Sequence, residues 1–286
     1  MIVVTGANGF VGQALIGKLA HDNLPARLIA RHSRLDLNPN PIVIEHTNPN
    51  PNPNSQSTHQ LDLGHISANT DWSQALKDAQ SVVQLASRSH VLNEQSADPA
   101  TLYQQINVDS TLNLAQQAAT LGVKRVVFVS TIKANGESTQ LGAPFSVNDL
   151  PNPQDVYSLS KYQAECELKL IGQQTGMEIV IIQPPIVYGL GVKANFLNMM
   201  KRLSKGIPLP LGGVTHNRRS LVAVDNWVDL IITCLSHPAA ANKQAIYERL
   251  CHSLKIDIGH TQATLNWKAP VSVEQCMRSA ARQFQP

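Results

Sequence analysis

Long apolar runs are missing from this 286-residue chain, and none approaches the roughly 20 residues that a membrane span requires. A first strand expected from residue 2 leaves no room for a secretory leader ahead of it. Blocks of like charge are missing too. Charged residues make up 15% of the chain, with 23 Lys and Arg scattered among 20 Asp and Glu for a net charge of +3. This pattern excludes a nucleic-acid or anionic-membrane partner. The four cysteines, Cys166, Cys234, Cys251 and Cys276, show no Cys-x-x-Cys spacing and form no metal-ligand grouping with the ten His. They read as free thiols in a reducing compartment, so the expectation is a cytoplasmic protein without a metal. With 43% hydrophobic residues, the chain can bury a full core in one large or two small domains.

What is present begins at the N-terminus. Ile2-Val3-Val4 runs into Thr5-Gly6-Ala7-Asn8-Gly9-Phe10-Val11-Gly12, a glycine-rich turn between a first strand and a helix over 11–20. Glycines at every third position let the backbone turn tightly, approach a pyrophosphate and pack the helix against a sheet, with its N–H groups aimed at the anion. The spacing is looser than Gly-x-Gly-x-x-Gly, and an ordinary glycine turn without ligand is the alternative; the strand-to-helix context favours the phosphate site.

Further apolar runs stand at 26–30, 41–45, 81–85, 125–129 and 178–183, with helical patterns over 71–79, 99–121 and 156–174. Short apolar strands alternating with helices mean βαβ units, hence an α/β, Rossmann-type doubly wound parallel sheet covered on both faces. Ligands of such sheets sit at the carboxyl ends of the strands. The alternating Asn and Pro of 38–54 cannot donate a regular ladder and reads as a mobile surface loop. After residue 183 the pattern turns irregular and rich in Gly and Pro. We therefore expect a dinucleotide-binding domain from 1–182 plus 220–238, and a small substrate-binding part from 183–219 plus 239–286.

Tyr157-Ser158-Leu159-Ser160-Lys161 puts a phenol and an ammonium four residues apart on one helix face. A free phenol, with a pKa near 10, is a poor base at neutral pH, and a nearby cation lowers that pKa. Such a pair suits proton transfer in alcohol–ketone interconversion, although it is common in chains of this length. Ser130 and Thr131 end the run at 125–129, where a hydroxyl could bond a substrate oxygen or simply cap a turn. Asn107 lies within the helical pattern at 99–121, where a plain mid-helix polar residue is the alternative.

Taken in order, Thr5-Gly6-x-x-Gly9-x-x-Gly12, Asp62-Leu63, Val82 to Ser87, Asn107-Val108-Asp109-Ser110-Thr111, Ser130-Thr131, Tyr157-x-x-x-Lys161, Pro184 to Gly189 and Arg219 to Asp225 resemble the extended short-chain dehydrogenase/reductase family. The similarity is to its NAD-dependent epimerase/dehydratase branch, which acts on nucleotide sugars. Gly191 to Phe196, with Asn217 to Leu221, resembles bacterial polysaccharide-biosynthesis enzymes of the UDP-sugar 4-epimerase or 4-ketoreductase type. The resemblance implies that Gly6, Gly9, Phe10, Val11 and Gly12 bind the pyrophosphate, Asp62 and Leu63 meet the adenine, and Leu85, Ala86 and Ser87 meet the adjoining ribose and phosphate. It makes Thr131, Tyr157, Lys161 and Asn107 the catalytic set. Lys161 would also hold the nicotinamide ribose and tune Tyr157, and Val187 would contact the carboxamide. Lys133, Asn195 and Arg219 would bind substrate. It further implies a homodimer built from the helices at 99–121 and 156–174, which carry Leu112, Ala115, Ala118, Ala119 and Ala164.

Two departures matter. Past His237-Pro238, a βα-sized piece of the substrate part is absent relative to the family pattern, so either the sugar pocket is expected to be truncated or open, or a segment is missing from this sequence. At the end of the second strand, where an acid would grip the NAD 2′-hydroxyl, stand Arg31, His32 and Arg34, which suit a 2′-phosphate. NADP(H) is therefore favoured, with NAD(H) also possible. The expected activity is hydride transfer at C4 of a UDP-sugar, with a 4-ketoreductase slightly ahead of a 4-epimerase. A non-catalytic NADP-sensing protein on the same fold is the rival of another class.

Overall fold

The computed structural model describes residues 1–30, 59–89, 96–139, 145, 149–192, 194–207, 219–241 and 259–282. The chain opens with strand β1 (Ile2–Thr5), the glycine turn and helix α1 (Phe10–His21), followed by β2 (Ala26–Ala30) and β3 (His59–Asp62). A short helix α2 (Ser73–Leu76) leads to β4 (Ser81–Gln84). Next come α3 (Pro99–Tyr103), a π-helical stretch (Gln104–Asp109), α4 (Ser110–Thr120) and β5 (Arg125–Val129). Helix α5 (Val156–Thr175) and β6 (Glu178–Ile182) complete the main layer. Beyond it lie β7 (Ile186–Tyr188), α6 (Ala194–Ser204), β8 (Leu221–Ala223), α7 (Val224–Ser236), α8 (Gly259–Leu265) and α9 (Val273–Arg282).

The sheet has six parallel strands in the order β3-β2-β1-β4-β5-β6. The order reverses between β1 and β4, which opens a crevice at the carboxyl ends of those strands. Its two faces carry separate cores. Val3, Ile29, Val82, Val126 and Phe128 pack under α4 and α5. Val4, Leu28, Val83, Val127 and Val180 pack on the other side, with Leu15 and Leu19 of α1 and Trp227 and Ile231 of α7. Alternate side chains of each strand thus enter opposite layers, as burial on both faces demands. β7 and β8 form a separate two-stranded parallel sheet.

Four elements differ from the sequence reading. His59–Asp62 is a strand, paired in parallel with β2 from Arg27↔His59 to Ala30↔Asp62, although its polar residues give no apolar run. The helix expected over 71–79 shrinks to Ser73–Leu76. It stops because Arg27 Nη1 donates to the carbonyls of Ala75 (2.7 Å) and Lys77 (2.8 Å), while Asp78 takes the left-handed conformation at φ 60°. The helix expected over 99–121 is interrupted by its π stretch. Finally, Ala115, Ala118 and Ala164, expected at a dimer interface, are 1%, 0% and 0% exposed in the α4–α5 core and face the sheet. The strand expected at 41–45, the Asn-Pro segment at 38–54 and Cys251 lie outside the described residues. Among the described residues no helix is long and apolar enough to cross a membrane, and no group of three or more His, Cys, Asp or Glu could hold a metal ion.

Candidate active site

The glycine turn is built for close backbone approach. Gly6 has φ 67°, and a Cβ there would stand 2.7 Å from the Ala86 nitrogen; one at Gly12 would stand 2.7 Å from the Ala7 oxygen. Gly9 N donates to Gly6 O at 2.9 Å and closes the turn. As N-cap of α1, Gly9 supplies no side-chain acceptor, and the first helical turn holds no acid. The helix therefore presents N–H groups and the positive end of its dipole to the crevice, as a pyrophosphate requires. Phe10 and Val11 begin this helix and lie partly buried against the α1–α7 core. Together these features fit a dinucleotide.

The buried Thr5 hydroxyl ties the turn to β4. It donates to Gln84 Oε1 and accepts from the N–H groups of Leu85 (3.1 Å) and Ala86 (3.0 Å). Leu85, Ala86 and Ser87, assigned to the cofactor ribose and phosphate, are half-buried beside Gly6. Asp62 ends β3, where its carboxylate accepts from Gly64 N at 2.7 Å, and Leu63 packs partly on the core. Val187 lies in β7 opposite Val222 of β8. Arg31 and Arg34 lie outside the described residues.

The chemistry-bearing residues converge at the ends of β4 and β5. Asp155 caps α5 through a capping box with Ser158, accepting from Ser158 N at 2.6 Å, and this fixes the turn that carries Tyr157. The Tyr157 phenol is hydrogen-bonded to Thr131. Burial pushes its pKa up to about 12; the Thr131 bond and the Lys133 charge pull the other way, and Asp155 and Tyr103 reinforce the rise. Lys161 is 2% exposed, with Nζ 4.0 Å from the centroid of the Phe128 ring. Burial pulls its pKa down to about 7, against the charge of Glu165. The cation acting on the phenol is thus Lys133, where the resemblance implied Lys161.

Asn107, fully buried in the π stretch, bridges the two halves of the site. Its Oδ1 accepts from Arg88 N at 2.7 Å, and its Nδ2 donates to Arg88 O at 3.0 Å and to Ser160 Oγ at 2.9 Å. Ser160 Oγ donates in turn to Tyr157 O at 2.7 Å. Insertions of this kind recur at functional sites because they re-aim one side chain without breaking the helix.

The substrate residues implied by the resemblance are less gathered. The Lys133 ammonium donates to Asp155 Oδ2 at 2.6 Å and to Glu137 Oε1 at 2.8 Å. Burial lowers its pKa, but the two acids outweigh that and leave it raised. Arg219 is exposed just before β8, and Asn195 belongs to α6, with its side chain outside the described part. Ser160, Gln84 and Glu165 escaped the sequence reading. Glu165 carried a usable signal, since Lys161, Ala164, Glu165 and Leu168 share the inward stripe of α5 and all four are buried.

Residues 2–248 match the NAD dependent epimerase/dehydratase family. The chain is 37% identical to a UDP-glucose 4-epimerase of Vibrio cholerae, with 99% of this chain and 95% of that protein covered. That alignment runs over 330 positions against 286 residues here, so the relative carries segments with no counterpart in this chain. A GDP-6-deoxy-D-mannose reductase of Pseudomonas aeruginosa is 27% identical, with 84% of this chain and 71% of that protein covered. Among solved structures, a UDP-glucuronic acid 4-epimerase from Bacillus cereus in complex with NAD superposes with a TM-score of 0.74 at 19% identity, covering 99% of this chain and 96% of that one. The glycine turn, the six-stranded sheet and a match spanning most of the sequence make this chain a member of the NAD-dependent epimerase/dehydratase family of enzymes.

Proposed function

We propose that this protein is a nicotinamide-dinucleotide-dependent 4-epimerase of a UDP-activated hexose. The observation that carries the reading is the near full-length similarity to the Vibrio cholerae epimerase, in a chain that also brings Tyr157 onto Thr131 above a buried Lys161. The bound dinucleotide would supply hydride acceptance and return. Gly6, Gly9, Phe10, Val11 and Gly12 would hold its pyrophosphate, Asp62 and Leu63 its adenine, Leu85, Ala86 and Ser87 the adjoining ribose and phosphate, and Val187 its carboxamide.

The chain's own residues handle the proton. Tyr157 takes it from the sugar O4 as the C4 alcohol becomes a ketone and gives it back when the alcohol is restored. Thr131 aligns the phenol and O4. Lys161 would hold the nicotinamide ribose, and Lys133 supplies the charge that pulls the phenol's pKa down. Asn107 keeps the Arg88 backbone and the Tyr157 turn in register. Lys133, Asn195 and Arg219 would face the substrate, where Arg219 offers a planar donor fork to the diphosphate. The protein would act as a homodimer in the cytoplasm, with a dinucleotide-binding domain from 1–182 plus 220–238 and a substrate part from 183–219 plus 239–286.

A second reading, an NADPH-dependent 4-ketoreductase, draws on Arg31 and Arg34 at the end of the second strand and on the Pseudomonas aeruginosa reductase. Proton NMR of UDP-glucose or its N-acetyl analogue incubated with the purified protein separates the two. Interconversion of the C4 epimers without added reductant supports the epimerase. Inertness in that assay, with NADPH consumption on a UDP-4-keto-sugar, moves the assignment to the reductase. If both assays are silent while NADP(H) binds, the sensor reading gains.

A further inference from the structure

Behind the catalytic turn lies a polar cluster with no place in the mechanism above. Glu165, one helical turn beyond Lys161, is 2% exposed. Ser130 Oγ and Gln183 Nε2 (2.6 Å) both donate to its Oε1, and Asn135 Nδ2 donates to Gln183 Oε1 at 3.2 Å. Ser130, Gln183 and Asn135 are 3%, 2% and 1% exposed. The strand-end pair Ser130-Thr131 therefore divides its hydroxyls. Thr131 serves Tyr157, and Ser130 serves Glu165. A carboxylate in so dry a place is costly unless a cation or hydrogen-bond donors answer it, and so is a buried ammonium, whose lost hydration the face of the Phe128 ring offsets only in part.

We propose that Glu165 is a positioning residue: anchored by Ser130 and Gln183, its carboxylate is the counter-charge that keeps the buried Lys161 ammonium ionised and in place for the cofactor. The inference rests on the reading of Lys161 as the active-site lysine. The ionisable groups around the site are Tyr157 and Glu165 on α5, Asp155 and Lys133 at its N-terminal end, Tyr103 beside Tyr157, and Arg88 over the Tyr103 ring. Of these, Glu165 is the one whose charge bears on Lys161. The strand ends offer hydroxyls and amides with no charge.

Glu165→Gln keeps shape and polarity and removes only the charge. Fluorescence titration with NADH from pH 6 to pH 8 reads the effect. Loss of an opposite charge lowers a buried lysine's pKa by about one unit or more. Affinity should therefore be near that of the unmodified protein at pH 6 and fall to about tenfold weaker by pH 8, with Glu165→Asp restoring part of it. An equal loss at every pH, or no loss, overturns the proposal.

Urea unfolding of Glu165→Gln, Lys161→Met and the double variant gives a second measure. At pH 6 the two single losses should exceed the double loss by about tenfold in the folding equilibrium constant, a coupling that fades by pH 9, where Lys161 is neutral. Additive losses at both pH values overturn the proposal, as does failure of every Glu165 variant to fold whether or not Lys161 is present. Neither measurement uses a sugar substrate, so failure of the epimerase reading and failure of this one are distinguishable.

Discussion

In the proposed mechanism Tyr157 would carry the heaviest chemical demand, because burial holds its proton tightly, with a pKa of about 12. Tyr157→Phe removes one hydroxyl and leaves the ring beside Tyr103, whose centroid is 6.2 Å away. Cofactor binding should survive while turnover falls about 10²–10⁴-fold, the usual contribution of a positioned acid or base. Single-turnover hydride transfer at saturating UDP-sugar checks this, and an unchanged rate would remove Tyr157 from the mechanism. Thr131→Val should cost less in the same assay, since it deletes an orienting hydrogen bond and not the proton carrier. Lys161 makes a separate prediction about stability. Its pKa is about 7 in the folded chain against the ordinary 10.5, so between those values the unfolded chain holds a proton that the native state lacks. Stability should rise with pH across that window. Tyr157 and Tyr188, both pushed up to about 12 by burial, reverse the trend above about pH 10, because there the folded state holds the extra protons. Urea midpoints from pH 6 to pH 11 should trace that rise and fall, and Lys161→Met should flatten the rising limb.

The π stretch at Gln104–Asp109 and the capped start of α5 hold these side chains in register. Asn107→Leu would remove the shared partner of the part-buried Arg88 N–H and C=O. At the usual cost of stranding such polar groups, about 1–3 kcal/mol of stability should be lost. Denaturant unfolding reads that loss, which should be accompanied by weaker cofactor binding because the 85–88 segment loses its tether. The outer faces of α3 and α5 frame a groove of about 410 Å³ lined by Thr101, Gln104, Asp109, Val156, Leu159 and Gln163, among others. Val156 and Leu159 are 41% and 44% exposed there. A dimer should use this face and not the alanines of α4, which point into the core. Light scattering at micromolar concentration should report a dimer, and Leu159→Arg should yield monomer; a monomeric unmodified protein would count against the interface.

Across the whole molecule, alternation of apolar runs with helical patterns determines the doubly wound sheet, because a strand buried on both faces must be apolar throughout and a crossover helix must return it parallel. The glycine turn is equally local: Gly6, Gly9 and Gly12 are demanded within a single loop, so the turn itself could be read from eight residues. The edge strand His59–Asp62 was hidden because pairing with β2, not its own composition, makes it a strand. Thr5 with Gln84 and Asn107 with Ser160 lie 79 and 53 residues apart, and no local pattern links them. The same limit governs the lysines. Spacing alone puts Tyr157 and Lys161 on one helix face, but only packing decides which cation acts on the phenol. In the folded chain the ends of β5 and α5 bring Lys133 to Asp155 and Tyr157, while the Phe128 ring and the Glu165 carboxylate claim Lys161. Electrostatics depends on distance and burial, and both are properties of the folded chain that residue order does not display.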